Sequence, residues 1–107
     1  MEKTIKMDKG QYQMLTRNKD GKIIEVTIPG FTFSFLGVDF GCSNMHYIAK
    51  TGELQKDEKN WILVDIETKL VCGRTASRRG FSYLLTPEYV NRIKQIKEKR
   101  KLYKSEN

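Results

Sequence analysis

A chain of 107 residues, 38% hydrophobic and 31% charged, holds enough apolar sequence for one small domain and too much for a disordered protein. No apolar run approaches the roughly 20 residues of a membrane-spanning helix, and the polar opening Met1-Glu2-Lys3-Thr4 predicts no secretory signal. The formal net charge of +7 excludes an acidic mimic of nucleic acid, and two cysteines, Cys42 and Cys72, are too few for a disulfide framework and point to a reducing, cytoplasmic setting.

The first two thirds of the sequence read as strands and turns. Residues 10–17 and 22–28 flank Asn18-Lys19-Asp20-Gly21, a turn signal between half-apolar runs, and predict a β-hairpin with Ile24, Val26 and Ile28 on one face. Pro29-Gly30 is expected to stop the second strand. Phe31-Thr32-Phe33-Ser34-Phe35 alternates strictly and predicts a third strand, continuing through Leu36 and Val38 until Gly41 breaks it. Residues 45–50 read as a short strand and residues 53–60 as an exposed polar loop. A second hairpin follows, residues 61–66 and 70–73 around Glu67-Thr68-Lys69. Its continuous apolar run at Ile62, Leu63 and Val64 predicts a central strand covered on both faces.

The character changes near Thr75. Thr75 and Ser77 are both suited to cap a short helix through Leu85, which Gly80 weakens. Thr86-Pro87-Glu88 begins a longer helix over residues 87–103: the threonine can accept free amide hydrogens, proline fits the first helical position, and glutamate complements the dipole. On this helix Tyr89, Ile93, Ile96 and Tyr103, with Val90 at the edge, form an apolar stripe that Arg100 interrupts, so its last two turns are expected to project beyond the domain. The fold expected is therefore α+β: an antiparallel, hairpin-rich sheet followed by one short and one longer C-terminal helix. A curled or barrel-like sheet is the alternative arrangement.

Located along the chain, the charge becomes informative. Residues 1–73 hold ten Lys/Arg and ten Asp/Glu, whereas residues 74–107 hold ten Lys/Arg and three acids. The entire excess lies in Arg74, Arg78, Arg79, Arg92, Lys94, Lys97, Lys99, Arg100, Lys101 and Lys104, and it predicts a polyanionic partner: nucleic acid or a nucleoprotein. Residues 74–80, with two hydroxyls and three guanidinium groups at a strand-to-helix junction, are a candidate phosphate site, although the P-loop spacing is absent.

Other constellations carry less. Phe31, Phe33 and Phe35, with Tyr12, could stack on bases, but a domain this small needs them in its core. Cys42 and His46 offer a thiol and an imidazole without an orienting group or enough ligands for zinc. Asp65 and Glu67 leave the same strand face, and a metal-dependent nuclease would need Asp39 or another acid beside them. These readings lead to a non-catalytic protein with no cofactor and no metal.

The stretch Trp61-Ile62-Leu63-Val64-Asp65-Ile66-Glu67-Thr68-Lys69-Leu70-Val71-Cys72-Gly73-Arg74-Thr75-Ala76-Ser77-Arg78-Arg79 resembles a hairpin-then-helix module of small phage and mobile-element proteins. In that module an aromatic-led strand, a short polar turn, a second apolar strand and a threonine-plus-basic helix start recur; Gly80 departs from it. The resemblance implies a phage or mobile-element setting. It supplies the alternative function: an inhibitor of a host defence nuclease of the anti-CRISPR kind, acting by protein–protein contact.

Overall fold

The computed structural model describes residues 5–105, with side chains described through Arg100. Seven strands, β1 (Asp8–Arg17), β2 (Ile23–Phe35), β3 (Val38–Ser43), β4 (Met45–Ile48), β5 (Glu53–Lys56), β6 (Trp61–Asp65) and β7 (Leu70–Thr75), precede a 3-10 helix (Arg78–Leu85) and a long helix, α1 (Pro87–Ser105). The five strands β1-β2-β3-β6-β7 form one sheet in that order, and β4 and β5 form a separate ribbon; every pairing is antiparallel. The α+β fold expected from the sequence is the fold observed. The sheet also curls far enough for the Leu15 N–H in β1 to donate to the Lys69 carbonyl beside β7, at 2.8 Å.

The first hairpin forms as its turn residues dictate. The Asn18 side-chain oxygen accepts from the backbone N–H groups of Asp20 and Lys22, at 2.9 and 3.0 Å, and Gly21 supplies the positive φ of 78°. Beyond it the strand boundaries differ from expectation. Pro29-Gly30 does not end the strand: β2 runs through both residues, with Gln11 opposite Pro29 and Gly10 opposite Gly30. The Pro29 carbonyl points past the paired end of β3, where the Ser43 hydroxyl donates to it at 2.8 Å. A strand residue's N–H and C=O share one side, so the amide hydrogen that proline lacks belongs to a place without a ladder partner. Gly30 is required there, because a Cβ would overlap the Cys42 carbonyl.

The turn falls instead at Leu36-Gly37, with φ of 53° and 81°, the two-residue connection that matches the twist of the flanking strands. Phe35 lies opposite Val38, and β3 then passes through Gly41 without breaking. The Tyr12 ring reaches across from β1 and occupies the space that a side chain at Gly41 would need. Residues expected to be a polar loop contain β5, which pairs with β4 from Met45 opposite Lys56 to Ile48 opposite Glu53. An exposed ribbon needs backbone pairing more than an apolar pattern, and Leu54 alone of its four β5 residues packs on the core.

Both faces of the main sheet are covered. On one, Phe33, Val38, Phe40, Cys42 and Leu63 pack against Phe81 and Leu84 of the 3-10 helix and Ile93 of α1. On the other, enclosed by the sheet's own curl, lie Tyr12, Met14, Ile28, Ile62 and Val64, with Met45 and Leu54 from the ribbon. Strand β6 is buried on both faces, as its unbroken apolar run predicts.

The two helix starts are built differently from expectation. Ser77 occupies the cap position of the 3-10 helix without a side-chain hydrogen bond, while the Thr75 hydroxyl donates to the Ser77 carbonyl at 2.6 Å. The Thr86 hydroxyl donates backward to the Tyr83 carbonyl at 2.7 Å rather than accepting an α1 amide, and its carbonyl accepts the Val90 N–H at 2.9 Å. Thr86 therefore joins the end of one helix to the start of the next.

Gly41→Ala tests the Tyr12 contact. The added methyl must displace a buried ring, and a loss of about 1–3 kcal/mol of stability, typical of overpacking, is expected in chemical denaturation. Unchanged stability would show that the ring is not locked there.

Candidate nucleic-acid interface

The covering of the sheet determines where each cation of the C-terminal third goes. Ile93 is buried on the helix-covered face and anchors α1. At 100° per residue, Lys94 and Lys97 flank it on one side and Arg92 and Lys99 on the other. All four are exposed. The Lys97 side chain lies along the β2–β3 turn, where a Cβ on Gly37 would sit 2.9 Å from its Cε. Arg92 lies beside the Tyr89 ring, its Cζ 5.3 Å from the ring centre, and Tyr89 in turn meets Tyr83 edge-on at 4.6 Å.

Arg100 behaves differently. It interrupts the apolar stripe because its guanidinium turns inward to two carboxylates: it pairs with Asp65, and at 2.9 Å with Glu67. Asp65 is only 7% exposed, and its other oxygen accepts the Glu67 N–H at 3.0 Å. The helix is thus tied to β6 at Arg100, and the expected projection beyond the domain does not begin before that residue. Asp65 and Glu67 do not share a strand face, because β6 ends at Asp65 and Glu67 lies in the turn that follows. The turn nevertheless brings both carboxylates to Arg100, which they clamp. Asp39 does not join them. Its carboxylate accepts from the Ser34 hydroxyl on the opposite face of the sheet. Among the described residues no cluster of three or more His, Cys, Asp or Glu could hold a metal ion.

The junction segment is divided between the two faces. Arg74 lies opposite Ile62, so its exposed side chain leaves from the face away from the helices. Gly73 faces the helices, its missing side chain making room for the Tyr83 hydroxyl. Arg79 is exposed on the 3-10 helix. Arg78 lies over the Phe31 ring, its Cζ 4.1 Å from the ring centre and 5.7 Å from that of Trp61. The structure therefore brings Arg78, Arg79, Arg92, Lys94, Lys97 and Lys99 to the helix-bearing side, sends Arg74 to the other, and neutralises Arg100. The side chains of Lys101 and Lys104 lie outside the described residues.

Of the aromatic candidates, Tyr12 and Phe33 are core, at 4% and 6% exposure, and Phe35 packs against that core. Phe31 and Trp61 are half-buried at its rim, their ring centres 6.1 Å apart. Cys42 and His46 do not meet. Cys42 is fully buried beside the Met7 sulfur, and burial pushes its thiol up to about 11. The His46 ring nitrogen lies 2.9 Å from the Asn60 carbonyl, at a shallow depression of about 510 Å³ on the ribbon. Among the described residues no helix is long and apolar enough to cross a membrane.

Comparison with known proteins adds no assignment: no family model, curated protein or solved structure matches the chain.

Two measurements test this arrangement. Arg100→Gln leaves Asp65 buried without its counter-charge and is expected to cost about 3 kcal/mol. The figure sits at the low end of the range for buried pairs because the guanidinium is 20% exposed. In a double-mutant cycle Asp65→Asn should recover part of that loss, and additive losses would show that the pair is uncoupled. A maleimide should label the exposed Cys72 and spare the buried Cys42 in the native protein. Burial of its sulfur pushes the Cys72 thiol up to about 11 as well, so labelling at pH 8 is slow and quickens as pH rises. Two labels on the native chain, counted by mass spectrometry, would contradict the burial of Cys42.

Proposed function

We propose that the protein is a non-catalytic binder of nucleic acid, free or within a nucleoprotein, and that it makes its backbone contacts through α1 and the adjoining 3-10 helix. The observation that carries this reading is the fate of the charge excess. Arg92, Lys94, Lys97 and Lys99 remain exposed around Ile93, the buried anchor among the described side chains of α1, while residues 1–73 are electrically balanced. Long basic side chains arranged in this way lay their stems on the domain and hold their charged ends in water, where phosphates can reach them. The sequence resemblance of residues 61–79 supports a second reading, a phage-type inhibitor that grips a host defence protein.

Neutralising phosphates releases counterions, so affinity should fall steeply with salt. For four contacts to a single strand, the drop between 50 and 200 mM salt is about 50-fold. Reversing Lys94 and Lys97 to Glu should weaken binding further without changing the unfolding midpoint, as fluorescence anisotropy and denaturation would show. Binding indifferent to salt would overturn the proposal. A specific protein that co-purifies after nuclease treatment would favour the inhibitor.

A further inference from the structure

We infer that the ligand is single-stranded and that one of its bases stacks on the Arg78 guanidinium over the Phe31–Trp61 platform. This inference rests on the nucleic-acid reading above and specifies the form of the ligand.

Three features converge at this point. Phe31 near the end of β2 and Trp61 at the start of β6 meet at the rim of the helix-covered face, inclined at 44° with both rings half-buried. The Arg78 guanidinium lies over both rings, closer to Phe31. Arg78 is itself exposed, so the side chain that rests against the aromatic pair is also reachable from solvent. Nor is it held by a counter-charge: among the described residues no carboxylate pairs with Arg78, whereas Arg100 takes two.

An arginine held by its face keeps its N–H donors free at the rim of the plane. Such a group offers a base a flat cation to stack upon, and it offers a phosphate or a base carbonyl donors in fixed directions. Arg79, the adjacent residue, is exposed, and the α1 cations lie on the same side of the sheet; together they provide for the flanking phosphates. A duplex cannot use this arrangement fully, because its base faces are already covered by their neighbours. A single strand can, since its bases are free to splay out. Stacking accepts any base, so the site predicts little sequence preference.

Trp61 is the only tryptophan in the chain, which makes its emission a reporter placed at the site itself. The full chain is titrated at low salt with labelled oligo(dT) of fifteen nucleotides and with a blunt duplex of the same length. Anisotropy reports binding and Trp61 fluorescence reports the platform. The expected result is saturable quenching of Trp61 by oligo(dT) in step with anisotropy, and little quenching by the duplex. Arg78→Lys keeps the charge and removes the planar stacking face. It should lower affinity for oligo(dT) about tenfold, leave duplex affinity within about twofold, and leave the unfolding midpoint in place.

Oligo(dT) binding that leaves Trp61 emission unchanged, or that Arg78→Lys leaves intact, would overturn the stacking site while preserving the nucleic-acid reading. Failure of both ligands to bind at low salt would overturn the two together.

Discussion

The structure depends on one constraint: the unbroken course of β2 through Pro29 and Gly30. The strand is long enough to contribute to two cores, and it does so from opposite faces. Ile28 in its first half enters the core enclosed by the curl of the sheet, and Phe33 in its second half enters the core beneath the helices. The alternating geometry of a strand permits this without a register shift, provided that nothing bulky obstructs the crossover point. Gly30 clears the Cys42 carbonyl there, and Gly41 on β3 admits the Tyr12 ring. Had the chain turned at Pro29-Gly30, the helices would have no phenylalanine-lined face to cover.

The position of the helices then determines which cations are available. With Phe81, Leu84 and Ile93 committed to the sheet, α1 reaches the end of β6, where Arg100 meets Asp65. A buried carboxylate demands a partner, so the inward turn of Arg100 is a consequence of where the apolar anchors place the helix. The same packing brings Arg78 to the rim rings Phe31 and Trp61, which the helices do not fully cover. Arg74, one strand earlier, is left on the far side because alternation along β7 sends it there.

The legibility of the sequence followed the strength of the local signal. The Asn18–Gly21 turn, the doubly buried run Ile62–Val64 and the start of α1 at Pro87 are each encoded by neighbouring residues, and each stands where those residues imply. Misread boundaries arose where a distant contact overrides a local rule. Pro29 is tolerated because the N–H it lacks would face a place without a ladder partner, where Ser43 meets its carbonyl, and Gly41 because Tyr12 fills its place. Leu36 gives no turn signal, yet it adopts a positive φ between strands already held by Phe35 and Val38. β5 has almost no apolar pattern to read, since its pairing is largely a backbone matter. At the candidate site, Arg100 announced itself as an arginine within an apolar stripe. Its partners, 35 and 33 residues earlier in the chain, needed the fold. The meeting of Phe31, Trp61 and Arg78 left no sequence signal, because it depends on the order of strands in the sheet.

The cations described on the helix side divide by chemistry as well as by position. The guanidinium groups of Arg78, Arg92 and Arg100 take planar partners: a phenylalanine–tryptophan pair, a tyrosine and two carboxylates. Each is thereby placed against a partner, and a planar guanidinium, unlike an ammonium, offers donors in fixed directions to whatever meets its edge. Lys94, Lys97 and Lys99 carry compact charges on flexible stems, which attract a phosphate without prescribing its angle. A surface of this kind separates attraction from alignment. Under the proposed nucleic-acid reading, the lysines would supply a salt-sensitive pull along a strand of any sequence, and Arg78, exposed and packed on an aromatic pair, would set where along that strand a base lies. Among the described residues, the 3-10 helix and α1 follow the sheet and carry both kinds of cation on one side of it, whereas Arg74, still within β7, falls on the other.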